Sequence, residues 1–149
     1  MISEQIKLNG NLNIVVRDAD GNVKEERTEK NLVVTAGLGF IASRMKDTTD
    51  SAMSHMAVGS GTTAAAAGQT DLVSILGSRE ALDSTSVSGA VVTYTCGFEA
   101  GDGTGAITEA GIFNASSSGT MLCRTVFSAV NKAADDTMTI TWTITLSAS

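Results

Sequence analysis

The sequence predicts a mainly β protein, either an antiparallel β-sandwich or a partly closed barrel, with one or two short helices. Two observations predict this class. Apolar and polar residues alternate strictly in the first and last segments, and turn residues separate about seven strand-like runs at regular spacing. Abundant Thr, Ser, Ala and Gly agree with strands and turns, and the 149 residues suit a single β-rich domain over 1–149.

The first segment predicts a strand with one buried face, because its apolar residues share one parity and its Lys and Asn residues the other. Gly10 interrupts the apolar face and predicts a bulge or bend. Since a short amphipathic strand can add to a neighbouring sheet, residues 1–30 are expected to form a strand and hairpin that pair with another chain. Deletion of residues 1–17 is then expected to abolish assembly or docking. The expected interface residues are Ile6, Leu8, Leu12, Ile14 and Val16.

The run Asp18-Ala19-Asp20-Gly21-Asn22 predicts a hairpin turn, because Asp-Gly between two strand-like runs favours a tight reversal. The return run, Val23 to Lys30, is charged on both faces and predicts an exposed edge strand. The alternating acidic residues of the turn also fit the start of a calcium-binding loop. Such a loop needs Gly at its sixth position, where this chain has Val23, so the turn is favoured over a metal site.

The best helix candidate runs from Thr35 to Lys46. Thr35 is the expected N-cap, and Arg44 and Lys46 suit the C-terminal end. The two glycines in this run weaken the helix, at about 1 kcal/mol each relative to Ala. A helical turn is also expected within Thr70 to Leu76. The expected buried face of the main helix comprises Leu38, Ile41, Ala42 and Met45.

The glycines of residues 59–63 suggest a phosphate-binding loop. A Walker loop requires Lys and then Ser or Thr after its last Gly, and no Lys occurs between Lys46 and Lys132. A flexible connecting loop is therefore expected instead.

The C-terminal half predicts a series of strands that are separated by turn residues at regular spacing. A polar strand is expected over Ser78 to Val87, and the alternation from Val92 to Phe98 predicts the next one. Ala106 to Asn114 and Thr120 to Ala129 flank the turn at residues 115–119 and predict a hairpin. The last strand has the clearest pattern, since threonines alternate with Met138, Ile140, Trp142, Ile144 and Leu146.

Charge and cysteine usage limit the partners and the compartment. A formal net charge of −6 and scattered basic residues argue against a nucleic-acid partner. No apolar run approaches the roughly 20 residues that span a bilayer, so no membrane partner is expected. The first six residues lack the features of a signal peptide, which favours folding in a cytoplasm. Cys96 and Cys123 are expected to be small, reduced core residues, and a disulfide formed after cell lysis is the alternative.

The sequence predicts no catalytic, cofactor or metal site, and hence no enzyme. The single histidine, His55, follows Ser54, but neighbouring residues on a strand point to opposite faces, so a surface or loop histidine is expected. Given the expected hairpin register, Glu109 should lie directly opposite Arg124. They would form a cross-strand ion pair worth about 0.2–1 kcal/mol, and a structural role is favoured over a catalytic one.

The C-terminal half resembles small virion proteins of tailed bacteriophages. The residues that carry the resemblance are Ile107 to Ala115, Gly119 to Phe127 and Asp136 to Ile144, with similar earlier blocks at Asn31 to Gly37 and Met56 to Gly61. The likeness covers roughly residues 31–146. It is a pattern of β-hairpins and includes no catalytic signature.

The resemblance implies a structural component of a bacteriophage virion. The first expectation is a capsid decoration or cement protein that binds and stabilises the shell. The alternative is a tail, collar or baseplate protein, such as a fibre-anchoring domain. The expected partners are the major capsid protein or tail and neck proteins, with assembly in the host cytoplasm. A homo-oligomer is expected, and a trimer is the first stoichiometry to consider.

A carbohydrate-binding β-sandwich is the alternative from a different functional class. It predicts exposed aromatic platforms. Tyr94, Trp142 and the four Phe instead fall mostly on the apolar parities of their strands.

Overall fold

The computed structural model describes residues 4–46 and 50–148 and contains two antiparallel five-stranded sheets with one short helix. The predicted fold class is confirmed in its sandwich form. Residues 1–3 belong to the N-terminal segment that is expected to pair with another chain and to lack a signal peptide, and they lie outside the described residues. The strands are β1 (Ile6–Arg17), β2 (Val23–Lys30), β3 (Leu32–Val33), β4 (His55–Gly59), β5 (Glu80–Ala81), β6 (Ser84–Ser88), β7 (Val91–Phe98), β8 (Gly105–Phe113), β9 (Met121–Lys132) and β10 (Thr137–Ala148), and the helix α1 (Thr35–Arg44) lies between β3 and β4.

The first sheet has the strand order β2-β1-β10-β7-β6, and the second has the order β3-β9-β8-β4-β5. The two terminal strands pair along their whole length, from Ile6 opposite Ala148 to Arg17 opposite Thr137. The alternation that predicted these strands also places their apolar residues on the inner face of the first sheet. The main core between the sheets includes Leu12, Ile14, Val16, Phe98, Ile112, Ile140 and Trp142, all fully buried.

The N-terminal strand is an interior strand, which corrects the interface expected there. β1 lies between β2 and β10, and its residues 11–17 pair on both sides within the same chain. Of the expected interface residues, Leu12, Ile14 and Val16 are fully buried in the core, so no partner chain can contact them. Leu8 is half-buried, and Ile6 is 74% exposed. Deletion of residues 1–17 would therefore remove a core strand and unfold the sandwich, so it does not test docking.

Gly10 makes room for a side chain and does not form the predicted bulge. The pairing of β1 with β10 runs through Gly10 without a register shift. The Asn31 side chain crosses over this glycine, where an added Cβ would lie 1.7 Å from its Oδ1. That Oδ1 accepts a hydrogen bond from Nε1 of the buried Trp142 at 2.8 Å. Gly10 therefore lets Asn31 satisfy the one polar atom of the largest core residue.

We expect Gly10→Ala to lower the free energy of unfolding by about 1–3 kcal/mol, because the new methyl group displaces Asn31 and leaves the buried Trp142 N–H unpaired. Urea unfolding of Gly10→Ala, Asn31→Ala and the double variant measures this. The double variant should be no less stable than Asn31→Ala alone, since both changes break the same hydrogen bond. Fully additive losses would contradict this explanation of the glycine.

Helix α1 forms where the sequence predicts it, but of the predicted buried face only Ile41 packs against the main core. Its first residue is Thr35, and Val34 holds the N-cap position without a side-chain hydrogen bond, so the prediction of Thr35 as the cap is wrong. The helix buries Gly37 and Phe40, whereas Leu38 and Met45 of the predicted face are 48% and 83% exposed. The reason is close packing. A Cβ at Gly37 would lie 2.1 Å from the Leu122 carbonyl oxygen, so only glycine lets the helix approach β9 so closely.

The turn after β1 is a local hydrogen-bonded structure, as predicted. Asp18 Oδ1 accepts hydrogen bonds from the backbone N–H groups of Asp20 at 3.0 Å and Asn22 at 2.9 Å. This carboxylate thus binds its own backbone, which is the usual role of Asp in a turn. The strand that follows, β2, is an edge strand, as the charge pattern predicted.

Candidate functional site

The outer face of the second sheet is covered by the connection between β4 and β5, residues 60–79, which we call the covering loop. A register shift between Ile107 and Glu109 reverses the side-chain alternation within β8. Ile107 therefore faces the main core, whereas Glu109 and Phe113 face the covering loop. A second apolar cluster forms beneath the loop, from Val34, Ala57, Phe113 and Met121, with Leu72 packed against it. No helix forms at residues 70–76, so the helical turn predicted there is wrong.

Glu109 and Arg124 form a fully buried ion pair under the covering loop. Arg124 Nη2 and Nε donate to Glu109 Oε1 at 2.9 and 3.1 Å, and both side chains are 0% exposed. The predicted partners therefore do meet, but their expected register is corrected. Glu109 pairs with Val126, and Arg124 pairs with Gly111, so the two lie on a diagonal. Because both charges are buried, the stabilisation of about 0.2–1 kcal/mol expected for a cross-strand ion pair does not apply to them.

The covering loop supplies three backbone N–H groups to the same carboxylate. Glu109 Oε2 accepts hydrogen bonds from Gly61 at 2.7 Å and Ser74 at 2.8 Å, and its Oε1 accepts one from Val73 at 2.9 Å. Residues on both arms of the loop are thus bound to one side chain. The Gly61 hydrogen bond is buried, so that N–H would otherwise lack a partner, at a cost of about 1–3 kcal/mol.

The arginine holds the loop from its other side. Arg124 Nη1 donates to the Thr63 carbonyl oxygen at 2.9 Å and to Gln69 Oε1 at 3.0 Å. Gln69 in turn accepts from the Ala66 N–H at 3.0 Å and donates to the Ala64 carbonyl oxygen at 3.1 Å. The segment from 61 to 74 is therefore fixed by a continuous hydrogen-bond network centred on two buried charges.

Two glycines explain how the backbone reaches the carboxylate. A Cβ at Gly59 or Gly61 would lie 2.6 or 2.3 Å from Glu109 Oε2. These are the residues that suggested a phosphate-binding loop. The loop does hold an anion, but that anion is the carboxylate of Glu109 itself. The loop is also held in place, in contrast to the flexible connection expected from the sequence.

The network fixes the ionisation state of Glu109. Burial alone would raise the pKa of this carboxyl. The backbone N–H groups of Val73 and Ser74, the Arg124 guanidinium and the N–H of Gly61 together lower the pKa below its ordinary value. A carboxylate that is ionised, fully bonded and shielded from solvent does not exchange protons with a substrate near neutral pH. Glu109, Arg124 and the groups of residues 61–74 that bond to them therefore form a structural unit, which we call the lock, and not an acid–base centre.

Among the described residues, the histidine, its neighbouring serine and the two cysteines form no Ser-His-carboxylate or Cys-His group. Ser54 Oγ lies 2.8 Å from Nδ1 of the half-buried His55, but no carboxylate of the described residues forms an ion pair with this ring. Cys96 and Cys123 are free and buried, as expected. Burial, with Asp83 and Glu80, raises the pKa of Cys96 to about 12, and burial raises that of Cys123 well above its ordinary value. Both thiols therefore stay protonated and weakly nucleophilic at neutral pH.

The described residues also contain no cluster of three or more His, Cys, Asp or Glu side chains that could hold a metal ion. The helix α1, with ten residues, is too short to cross a membrane, and no other helix occurs among the described residues.

All six aromatic residues are buried, with exposed fractions of 8% or less. They belong to the main core or to the cluster beneath the covering loop. They are Phe40, Tyr94, Phe98, Phe113, Phe127 and Trp142. Sugar-binding sites that stack aromatic rings on a sugar face need such rings at the surface, and this chain places none there.

Comparisons of the chain with protein-family models, with curated proteins and with solved structures each found no match.

Several residues of the lock could not be identified as a site from the sequence. Glu109 and Arg124 are charged residues inside strand-like runs, which is a usable signal. Gln69 and the N–H groups of Val73 and Ser74 carry no signal, because their role depends on how a long loop folds back over the sheet. The glycines at 59 and 61 do signal a close backbone approach.

Proposed function

We propose that this protein is a structural component of a bacteriophage virion, first of all a capsid decoration protein that binds and stabilises the shell. The observation that carries the proposal is the use of its buried charged pair. Glu109 and Arg124, with 0% exposure, are wholly engaged in holding a loop onto a sheet. Such a chain is built for rigidity, which a shell component needs, and the resemblance of its hairpins to phage virion proteins supports the same role.

The packing supports a rigid building block in two further ways. Helix α1 is held against β9 at Gly37, and the covering loop is held by three backbone N–H groups that donate to the Glu109 carboxylate. A preformed surface loses little conformational entropy on binding, which favours attachment at many repeated sites.

The alternative within the virion is a tail, collar or baseplate protein, for which a rigid sandwich is equally suited. A carbohydrate-binding role is less well supported, because all six aromatic residues are buried.

Reconstitution tests the proposed function. Particles assembled without this chain should take up the purified protein until their sites are saturated, and they should then release their genome at a higher temperature. Particles that already carry the chain are the control and should take up none. Absence of binding to the depleted particles would overturn the decoration role.

A further inference from the structure

The first sheet ends in two free edges of opposite character. β2 is charged at six of its eight positions, with Lys24, Glu25, Glu26, Arg27, Glu29 and Lys30. β6 has the sequence Ser-Thr-Ser-Val-Ser, without a charge, and all five residues are exposed. Its Val87 is 70% exposed. Charged residues, proline and bulges are what normally protect an edge strand from pairing with another chain, and β6 has none of these within its five residues.

The edges of the second sheet are covered within the chain. Beyond the short strand β3, Arg27 of β2 reaches across and donates to the carbonyl oxygens of Ser128 at 3.0 Å and Ala129 at 3.4 Å. At the other side, the edge of β4 is covered by β5 and by residues 74–76 of the covering loop. Among the described strands, β6 therefore combines a free edge with the absence of charge.

We propose that β6 pairs in antiparallel orientation with β6 of a second copy of this chain, about a two-fold axis at Ser86. The β6–β7 hairpin turns through Gly89, with φ of 59°, and Ala90, so Ser88 and Val91 close the turn. The closing pair of a two-residue hairpin is hydrogen-bonded, and bonding then alternates along the strand. The N–H and C=O groups of Thr85 and Val87 therefore face away from β7, toward the second copy.

The sequence of β6 is complementary to itself in this register. Ser86 lies opposite its own copy, and Thr85 lies opposite Val87, which is a favourable cross-strand pair. The same operation on β2, centred on Arg27, would place Lys24 opposite Lys30 and Glu25 opposite Glu29. Like charges directly opposite each other are destabilising. Charge thus favours self-pairing at one edge of the sheet and opposes it at the other.

The pairing also covers an exposed apolar side chain. Val87 lies opposite Val92 of β7, which lines an apolar pocket with Tyr94 and Ile144. In the dimer, the two copies of Val87 become diagonal neighbours on the same face of a continuous sheet. A five-residue edge buries less than the roughly 1,200 Å² of a stable interface, so the dimer forms at high local concentration. A two-fold pair is also a different assembly from the trimer expected from the sequence.

Cysteine cross-linking tests the proposed register. Residues opposite each other in a non-hydrogen-bonded antiparallel pair lie about 4.5 Å apart at Cα, which is within disulfide range. Ser86→Cys should therefore form a covalent dimer under mild oxidation. Thr28→Cys, an exposed residue near the centre of the charged edge strand, is the matched control and should stay monomeric. The native cysteines are both buried and do not compete.

A charge exchange provides the second measurement. Sedimentation of Ser86→Lys and of Ser86→Glu, each alone, should give monomers at concentrations where the native chain dimerises. Their mixture should restore the dimer, since Lys then faces Glu. Equal cross-linking of Ser86→Cys and Thr28→Cys, or a native chain that stays monomeric near 1 mM, would overturn the proposal. The inference goes beyond the proposed function, and its failure would leave the virion role unaffected because particle binding is measured separately.

Discussion

Arg124→Met is expected to lower the free energy of unfolding by about 3–5 kcal/mol, because it removes one partner of a buried ion pair and leaves the other charge behind. The variant also removes the Arg124 donor from the Thr63 carbonyl oxygen and one of the two donors from Gln69 Oε1, which keeps the Ala66 N–H. Since native domains are stable by only about 5–15 kcal/mol, this is a large share of the total. Urea unfolding measures the change, with Arg17→Met, at an exposed arginine of β1, as the control that should change stability by less than about 1 kcal/mol.

The pH dependence identifies the carboxylate as the source of this stability. The pKa of Glu109 is lower in the folded protein than its value of about 4.3 in an unfolded chain. Its contribution is therefore fully present above about pH 4.3 and is lost as the pH falls through the folded pKa. The stability difference between the native chain and Glu109→Gln should shrink below about pH 4. A difference that stays constant from pH 7 to pH 3, or an Arg124→Met variant as stable as the control, would contradict the lock.

Gly37→Ala and Gly39→Ala should change stability in opposite directions, although both glycines lie in α1. At Gly37 an added Cβ would lie 2.1 Å from a backbone oxygen of Leu122, so the helix must move away from β9, at a cost of about 3 kcal/mol. At Gly39 nothing lies within 4 Å, so alanine should stabilise the helix by about 0.5–1 kcal/mol. Thermal unfolding followed by circular dichroism measures both variants. Equal effects from the two changes would contradict the packing described for α1.

The sequence predicted those parts of the fold whose residues alternate without interruption. β1 and β10 were identifiable along most of their length, because each carries one apolar face and the two pair with each other in continuous register. The edge strand β2 was identifiable from its charges, and the turn before it from Asp and Gly. In these elements, local pattern and tertiary position agree.

Prediction was wrong where a contact distant in sequence decides the outcome. The register shift between Ile112 and Phe113 helps to place Glu109 opposite Val126 instead of Arg124, and sequence parity alone cannot show such a shift. The buried face of α1 is set by Gly37 against a carbonyl oxygen of β9, which outweighs the apolar stripe containing Leu38 and Met45. The N-terminal strand was expected at an interface because its amphipathic pattern does not distinguish a partner chain from the protein's own second sheet.

The lock was only partly predictable for the same reason. Opposite charges on two strands of a hairpin indicated that Glu109 and Arg124 meet. Their burial depends on residues 61–74 folding over the outer face of the sheet, and the N–H groups that bind the carboxylate have no sequence signature. The glycines at 59 and 61 indicate that the backbone packs closely against another group, but the sequence does not identify that group as the Glu109 carboxylate.

Copy number in purified particles is the most direct test of the proposed virion role. The amount of this chain is measured by quantitative mass spectrometry against the major capsid protein of the same particles. Shell decoration predicts hundreds of copies per particle, in a fixed ratio to the capsid protein. About a dozen copies would contradict the shell position and favour the neck or tail, where symmetric rings set the count. Absence of the chain from purified particles would contradict the virion proposal itself.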